Sequence, residues 1–366
     1  MTAPFPGKLA ILQRVLPSYR VPFFDLLAAS CQGGLTVGAG LPRIREAIDT
    51  SGQLAVAKLT PLNNIHLLGG SLYLCWQKGL LDWLKEQQPD ALIVEANPRY
   101  LSSPRAIRWM KQHHLKVLGW GLGSASVSAA GSGFRKKFRS NFINQFDALL
   151  TYSQRGKEDY IRLGFPPERI VVAANAVTSR PSHPAPERPA RLTDQPTILF
   201  VGRLQERKRV DLLITACARL AGNLHPRLVI IGNGPQLPAL QSLAELVYPG
   251  TVFPGYLQGE ALQSYFKQAD LFVLPGTGGL AVQEAMGYGL PVIVGSGDGT
   301  QDDLVRPANG WVLPPDDLAA LTETISSALA DPLKLRRIGQ ESYRIVFEEV
   351  NLENMTSAFL EALTRY

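Results

Sequence analysis

Cysteine is scarce in this chain, charge is modest, and long apolar runs are missing. Of 366 residues only Cys31, Cys75 and Cys217 are cysteines. An odd number without paired spacing excludes a disulfide framework and a zinc cluster and fits a reducing, cytoplasmic setting. The opening MTAPFPGKLAILQRV sets a short apolar run between Lys8 and Arg14, which reads as a first strand rather than a signal peptide. One long uncharged stretch, Val117 to Phe134, is interrupted by five glycines and four serines, so no membrane span is expected. What the chain does have is 45% hydrophobic residues at 19% charge with mean hydropathy near zero. That supplies one large or two medium cores and excludes disorder, collagen and coiled coil.

The net charge of +6 hides an asymmetry: residues 1–178 hold 21 Lys and Arg against 11 Asp and Glu, whereas the remainder holds 16 against 20. Such a split suggests that the first half faces something anionic. Its densest cluster is Arg135, Lys136, Lys137 and Arg139 in GFRKKFRSNF, a short helix interleaved with Phe134 and Phe138. Two readings stand, a solvated basic face or contact with an anionic membrane surface or lipid phosphate.

Residues 179–196, SRPSHPAPERPARLTDQP, contain five prolines and almost no apolar residues, the composition of a stiff connector. The chain therefore divides into a domain at 1–178, a linker at 179–195, a domain at 196–345 and a helical tail at 346–366. In each domain short Val, Ile and Leu runs alternate with amphipathic segments, predicting two doubly wound α/β domains with parallel sheets that face a cleft. First-half strands are expected at Leu9–Gln13, Ala91–Glu95, Lys116–Gly119, Ala148–Tyr152 and Ile170–Ala173. Leu74, Leu80, Leu81 and Leu84 recur at helical spacing. In the second half TILFVG, RLVIIG, TVFPG, LFVLPG and PVIVG each end on or near a glycine, the edge where open parallel sheets bind ligands.

Arg203 and Lys208 share the loop after ILFVG; they read either as part of a surface charge run or as two cations that neutralise a diphosphate. Gly232, Asn233 and Gly234 form a tight turn after another strand. The stretch LFVLPGTGGLAVQEAMGYGLPVIVG combines a strand end, a glycine loop and a helix start near Leu280, a combination that binds anions. Glu284, one turn into that helix, either faces solvent or caps the helix, or else accepts hydrogen bonds from a ribose or sugar hydroxyl.

These segments, with FPGYL and GDGTQDDLVRPANGWVLPPDDLAALTETISSAL, resemble in order and spacing the carboxyl-terminal donor domain of retaining GT-B glycosyltransferases of family 4. DALLTYSQRGKEDYIRLGFPPERIVVAANAV is similar to the end of the family's first domain. The resemblance implies the GT-B fold, two Rossmann-like domains facing a central cleft. It also implies retaining transfer of a sugar from a nucleotide diphosphate sugar, without metal or other cofactor, by an enzyme of the hexosyltransferase class. Arg203 and Lys208 then stabilise the departing diphosphate, beside Gly202 and the Gly232, Asn233, Gly234 turn. Thr277, Gly278, Gly279 and Leu280 form the loop that holds the diphosphate, Gly255 lies near the base, and Glu284 is the second carboxylate of the family's Glu-x7-Glu pair. The first falls on Gly276 and is missing, Arg209 replaces a usual glycine, and Asn175 to Val177 read NAV in place of NGV.

The first domain opens PSYRVPFF, similar to bacterial members with a Tyr-Arg-Val-Pro start. Ser18, Tyr19 and Arg20 follow strand one, and Glu95, Asn97 and Arg99 follow IVEANPR, where an acceptor would lie; Ser18 as a helix cap and Glu95 as a satisfied strand end stand as alternatives. Trp120, Gly121 and Gly123 occupy the stretch that often supplies a histidine, and His113 and His114 read as surface residues. The expected function is sugar transfer to a saccharide or lipid-linked acceptor, in cell-envelope or exopolysaccharide synthesis, at the inner face of the membrane. A noncatalytic nucleotide-sugar-binding subunit and a nucleotide-sugar epimerase on the same fold are the alternatives. Nucleic acid is not expected, since no recognition motif accompanies the basic cluster.

Overall fold

The computed structural model describes residues 3–46, 48–123, 133–220, 224–278, 280–297 and 300–366. The chain forms two compact units, 1–177 joined by 352–366, and 178–351.

In the first unit, strands β1 (Leu9–Val15), β2 (Leu35–Gly40) and β3 (Lys58–Pro61) precede a hairpin of β4 (Asn63–Leu67) and β5 (Leu74–Lys78), followed by β6 (Ala91–Glu95), β7 (Lys116–Gly121), β8 (Ala148–Thr151) and β9 (Ile170–Val172). Seven of them form one sheet in the order β3-β2-β1-β6-β7-β8-β9, every neighbouring pair parallel. Leu9, Ala10, Ile11, Leu92, Ile93 and Val94 lie next to no solvent because helices cover both faces of such a sheet. Those helices are α1 (Val21–Ala28), α2 (Leu80–Gln87), α3 (Ser103–Gln112), α4 (Gly133–Ile143) and α5 (Gln154–Arg162).

The second unit orders its six parallel strands β12-β11-β10-β13-β14-β15, from β10 (Thr197–Val201), β11 (Arg227–Ile231), β12 (Val252–Gly255), β13 (Leu271–Leu274), β14 (Val292–Gly295) and β15 (Gly310–Leu313). Its helices are α6 (Val210–Leu220), α7 (Leu237–Val247), α8 (Gly259–Gln268), α9 (Leu280–Gly287), α10 (Thr300–Leu304), α11 (Leu318–Ala330) and α12 (Pro332–Glu348). The last helix, α13 (Leu352–Arg365), belongs to the first unit. In both sheets strand order reverses beside the first strand, at β1/β6 and β10/β13, and the carboxyl ends of those pairs are where doubly wound sheets open a ligand crevice.

Several expectations need adjusting. Leu74 does not share a helix with Leu80, Leu81 and Leu84: it starts strand β5, and α2 begins only at Leu80, after Gly79 takes a left-handed conformation (φ 84°). Strands β2, β3, β4, β5 and β15 lie in stretches read without strands. Residues 179–195, set aside as a linker, count with the second unit. Arg188 ties them there, its guanidinium donating to Ala269 O (3.0 Å), Phe266 O (2.9 Å) and Tyr288 O (2.8 Å). The 346–366 tail divides, because α12 ends at Glu348 in the second unit while α13 packs in the first. There the Phe359 ring stands edge-on to Phe23 at 4.8 Å and to Trp120 at 4.9 Å.

Candidate functional site

The carboxyl edge of the second sheet is built from glycine-bearing loops. The Gly202 N–H donates to Ile231 O (3.0 Å), Gly232 N–H to Gly255 O (2.8 Å) and Leu204 N–H to Asn233 O (2.9 Å), so the loops after β10, β11 and β12 are stitched side by side. Asn233 turns its Oδ1 back to accept from Gly234 N–H at 2.7 Å. Gly255 (φ 83°) has open space beside its Cα.

Next to them the basic loop and the glycine loop close on each other. Thr277 N–H donates to Arg207 O (3.0 Å), and the Lys208 ammonium donates to Thr277 O (2.6 Å). A methyl group on Gly276 would lie 2.1 Å from Arg207 O, and one on Gly278 (φ 111°) would lie 2.3 Å from Lys208 Nζ. Both positions therefore require glycine, and Lys208, itself buried, sits against the backbone just before α9. Arg203 is exposed in the same loop, directly after Gly202. Arg209 adopts a left-handed conformation (φ 49°), which explains the usual glycine there, and its guanidinium pairs with Asp211 (3.1 Å) and Asp316. A pocket of about 420 Å³ opens here, lined among others by Glu206, Arg207, Arg209, Thr277, Ser296 and Asp316. A depression of similar volume, lined by Gln241, Glu245 and Thr251, lies before the start of β12 and away from these loops.

Leu280 opens α9, whose first turn holds no acidic residue to compete for its N–H groups. Gly279 lies outside the described residues. Glu284 is partly buried, has no hydrogen-bond or ion-pair partner among the described residues, and burial pushes its carboxyl above the usual range.

On the first unit, Glu95 ends β6 beside the end of β1, and its Oε2 accepts the Arg14 N–H at 3.0 Å. Burial pushes Glu95 up to about 7 against the opposing pull of that hydrogen bond and of the Arg14 charge. The Arg14 guanidinium donates to Glu46 (2.8 Å), which also binds Arg43 (2.7 Å). Burial works against ionised Glu46, but the two guanidinium groups outweigh it and bring the carboxyl down to about 2. Arg43 lies 4.2 Å over the Tyr73 ring, and Tyr73 Oη is 2.9 Å from His66 Nδ1. The Tyr100 hydroxyl is pushed up by burial and by the Glu95 charge. Arg14, Arg43, Glu46, Tyr73, Tyr100 and His66 were missed in the sequence. Arg14 could have been found as the cation closing the first strand; the others sit in loops and a hairpin without periodic signal.

The remaining first-unit candidates are scattered. Asn97 Oδ1 accepts from Arg99 N–H (3.1 Å), shaping the turn after β6, and Arg99 is exposed. Ser18 caps no helix; its hydroxyl donates to Asp49 at 2.5 Å. Tyr19 is exposed, whereas Arg20 is buried, donating to Asn175 Oδ1 (2.5 Å) and Ala176 O (3.3 Å) and stacking on Tyr19, Trp120 and Tyr152. These bonds give Arg20 and Asn175 a structural task within the unit. His113 and His114 are exposed before β7. Lys136 and Lys137 are exposed on α4, Arg139 is partly buried, and the Arg135 side chain lies outside the described residues. The three cysteines are free and buried, and burial pushes Cys31 and Cys217 up to about 12. Among the described residues no three His, Cys, Asp or Glu side chains are grouped so as to hold a metal ion, and no helix is long and apolar enough to cross a membrane.

Residues 184–345 match the family described as glycosyl transferases group 1. A GDP-mannose-dependent alpha-(1-6)-phosphatidylinositol monomannoside mannosyltransferase of Mycolicibacterium smegmatis is 31% identical over 161 residues, 40% of this chain and 42% of that protein. The chain spans less than half the length of the mannosyltransferases it matches. Among solved structures, a lipopolysaccharide outer core galactosyltransferase aligns with a TM-score of 0.69 at 19% identity over 98% of this chain and 99% of that one. An Anabaena protein in complex with UDP aligns with a TM-score of 0.74 at 15% identity over 98% of this chain and 100% of its own. Residues 184–345 thus resemble the glycosyl transferases group 1 family, and the two parallel-sheet units of the chain have the GT-B fold.

Proposed function

We propose that the chain is a retaining, metal-independent glycosyltransferase that takes a sugar from a nucleoside diphosphate sugar on the second unit and passes it to a saccharide or lipid-linked acceptor on the first. The seat of Lys208 carries this reading: a buried ammonium lodged against Gly278 at the start of α9, in a rim of glycine loops. Negative charge develops on the diphosphate as the sugar departs. Lys208, Arg203 and the amino end of α9 supply preorganised positive charge at that place, and no metal is called for. Glu284, partly buried and without a partner among the described residues, accepts hydrogen bonds from the ribose hydroxyls. The acceptor hydroxyl attacks from the face the diphosphate leaves, aided by a phosphate oxygen, and Glu95 positions or deprotonates it. The relatives named for GDP-mannose and the neighbour bound to UDP keep both nucleotides open as donors. The exposed cations of α4 bring the first unit to an anionic membrane at its cytoplasmic face, in cell-envelope or exopolysaccharide synthesis.

The experiment is calorimetric titration with UDP, GDP and ADP, followed by turnover of the corresponding sugars with and without acceptors. One nucleotide binds, and Arg203→Ala and Lys208→Ala each lower kcat/KM by about 30- to 1,000-fold, on the order of 2 to 4 kcal/mol. Full activity in both variants overturns the assignment. A second reading is favoured by Gly276, where no carboxylate can stand: a nucleotide-sugar-binding subunit without turnover. Tight nucleotide binding with neither hydrolysis nor transfer selects it.

A further inference from the structure

The β4–β5 hairpin has one side tied to the sheet and one side whose aliphatic residues stay largely open among the described residues. Strand alternation sends Asn64 and His66 inward, where Asn64 Nδ2 donates to Arg14 O (2.6 Å) and Leu41 O (2.9 Å). On the partner strand Gln77 is buried and its Nε2 donates to Gln13 O at 3.0 Å. These bonds hold the ribbon across the carboxyl ends of β1 and β2. The outer side pairs Ile65 with Trp76 and Leu67 with Leu74. Residues 99–101 extend it, with Cys75 N–H donating to Arg99 O (3.0 Å) and Leu101 N–H to Cys75 O (2.8 Å). Tyr100 stands opposite Cys75, so Arg99 and Leu101 fall on the outer side. Ile65, Leu67 and Leu101 are 41, 40 and 37% exposed, and at the turn Leu68 and Leu72 reach 67 and 68%. A contiguous aliphatic face of this kind marks a contact surface.

The surrounding charge identifies the contact. Residues 50–81 hold Lys58 and Lys78 and no Asp or Glu, and residues 96–146 hold nine Lys and Arg and no Asp or Glu. The Arg105 guanidinium lies 4.6 Å over the Trp76 ring, and Arg108 is exposed one turn further along α3. Leucines at a tip, a tryptophan at their base and cations around them match, in order, the acyl boundary, the interface and the phosphates of an anionic bilayer. We propose that the outer face of the β4–β5 hairpin seats the first unit on an anionic phospholipid surface, with Leu68 and Leu72 entering the bilayer. This deepens the membrane contact assigned above to α4, and it brings the edge that carries Arg14 and Glu95 to the level where a lipid-linked acceptor presents its head group.

The test is co-sedimentation of the full chain with vesicles of phosphatidylcholine alone or mixed with phosphatidylglycerol. The wild type binds the anionic vesicles, more weakly as salt rises, and Trp76 emission shifts to the blue in a manner lost in Trp76→Phe. Leu68→Glu/Leu72→Glu and Arg105→Glu/Arg108→Glu each weaken binding at least tenfold while nucleotide titration on the other unit is unchanged. Wild-type vesicle binding by Leu68→Glu/Leu72→Glu overturns the proposal, as does a loss confined to Lys136→Glu/Lys137→Glu, which assigns the contact to α4 alone. Self-association removed by Leu68→Glu/Leu72→Glu, without vesicle binding in the wild type, also overturns it and gives the face to a second protein chain. Failure of sugar transfer to a soluble acceptor leaves these outcomes untouched and bears only on the transferase reading.

Discussion

Gly276 stands where the resemblance calls for a glutamate, and its surroundings explain why none could be accommodated. The Arg207 carbonyl occupies the space a side chain would need, and the same approach brings Lys208 to Thr277. Gly276→Ala is expected to cost about 1 to 3 kcal/mol as the basic loop is pushed away, and to weaken nucleotide binding in parallel; thermal unfolding and calorimetry check both. Wild-type behaviour would mean that the loop opens freely. The absent glutamate was legible in the sequence by counting from Glu284, but the approach of the 207–208 backbone was not, since it joins positions about seventy apart. Glu95 carries a second prediction. Its pKa of about 7 in the folded protein exceeds the value of about 4.3 for an unfolded chain, so the native state binds more protons between those values. Stability therefore falls as pH rises through that window, and Glu95→Gln should flatten the fall in denaturation series from pH 4 to 8. If ionised Glu95 serves the acceptor, kcat/KM climbs through pH 7 and the climb disappears in Glu95→Gln; an inflection that persists in the variant reassigns it to another group.

At the scale of elements, the buried parallel strands were the most legible, because a strand covered on both faces reads as an unbroken Val, Ile and Leu run, as in Ala91–Glu95 and Leu271–Leu274. The hairpin was not. Its two sides alternate between inward polar residues and outward aliphatic ones, the reverse of the usual strand, and Leu74 falls by chance into helical spacing with α2. Helix α13 was legible as a helix but not in its allegiance: Met355, Phe359 and Leu363 are buried in the first unit although the preceding 174 residues belong to the second. A chain ended at Asn351 is expected to lose the cooperative unfolding of the first unit, while residues 178–351 expressed alone fold and bind the nucleotide. Phe359→Ala in the full chain should cost on the order of 3 to 5 kcal/mol, read by calorimetric unfolding. An unchanged transition would show that α13 is dispensable.

Across the whole molecule, composition and order determined a great deal. Alternating apolar runs and amphipathic segments require two parallel α/β sheets, glycine at strand ends predicts where ligands bind, and the charge difference distinguishes a basic first half from an acidic second half. These are local or additive properties, which a linear chain carries openly. Tertiary structure alone decided that Arg14, Glu46 and Glu95 meet at one sheet edge, that Lys208 lies against Gly278, that Arg20 is buried under aromatic rings, and that the terminal helix returns to the first unit. Each of these rests on contacts between residues far apart in the chain. Sequence periodicity records only which side of an element is apolar, whereas packing chooses the partner that covers it.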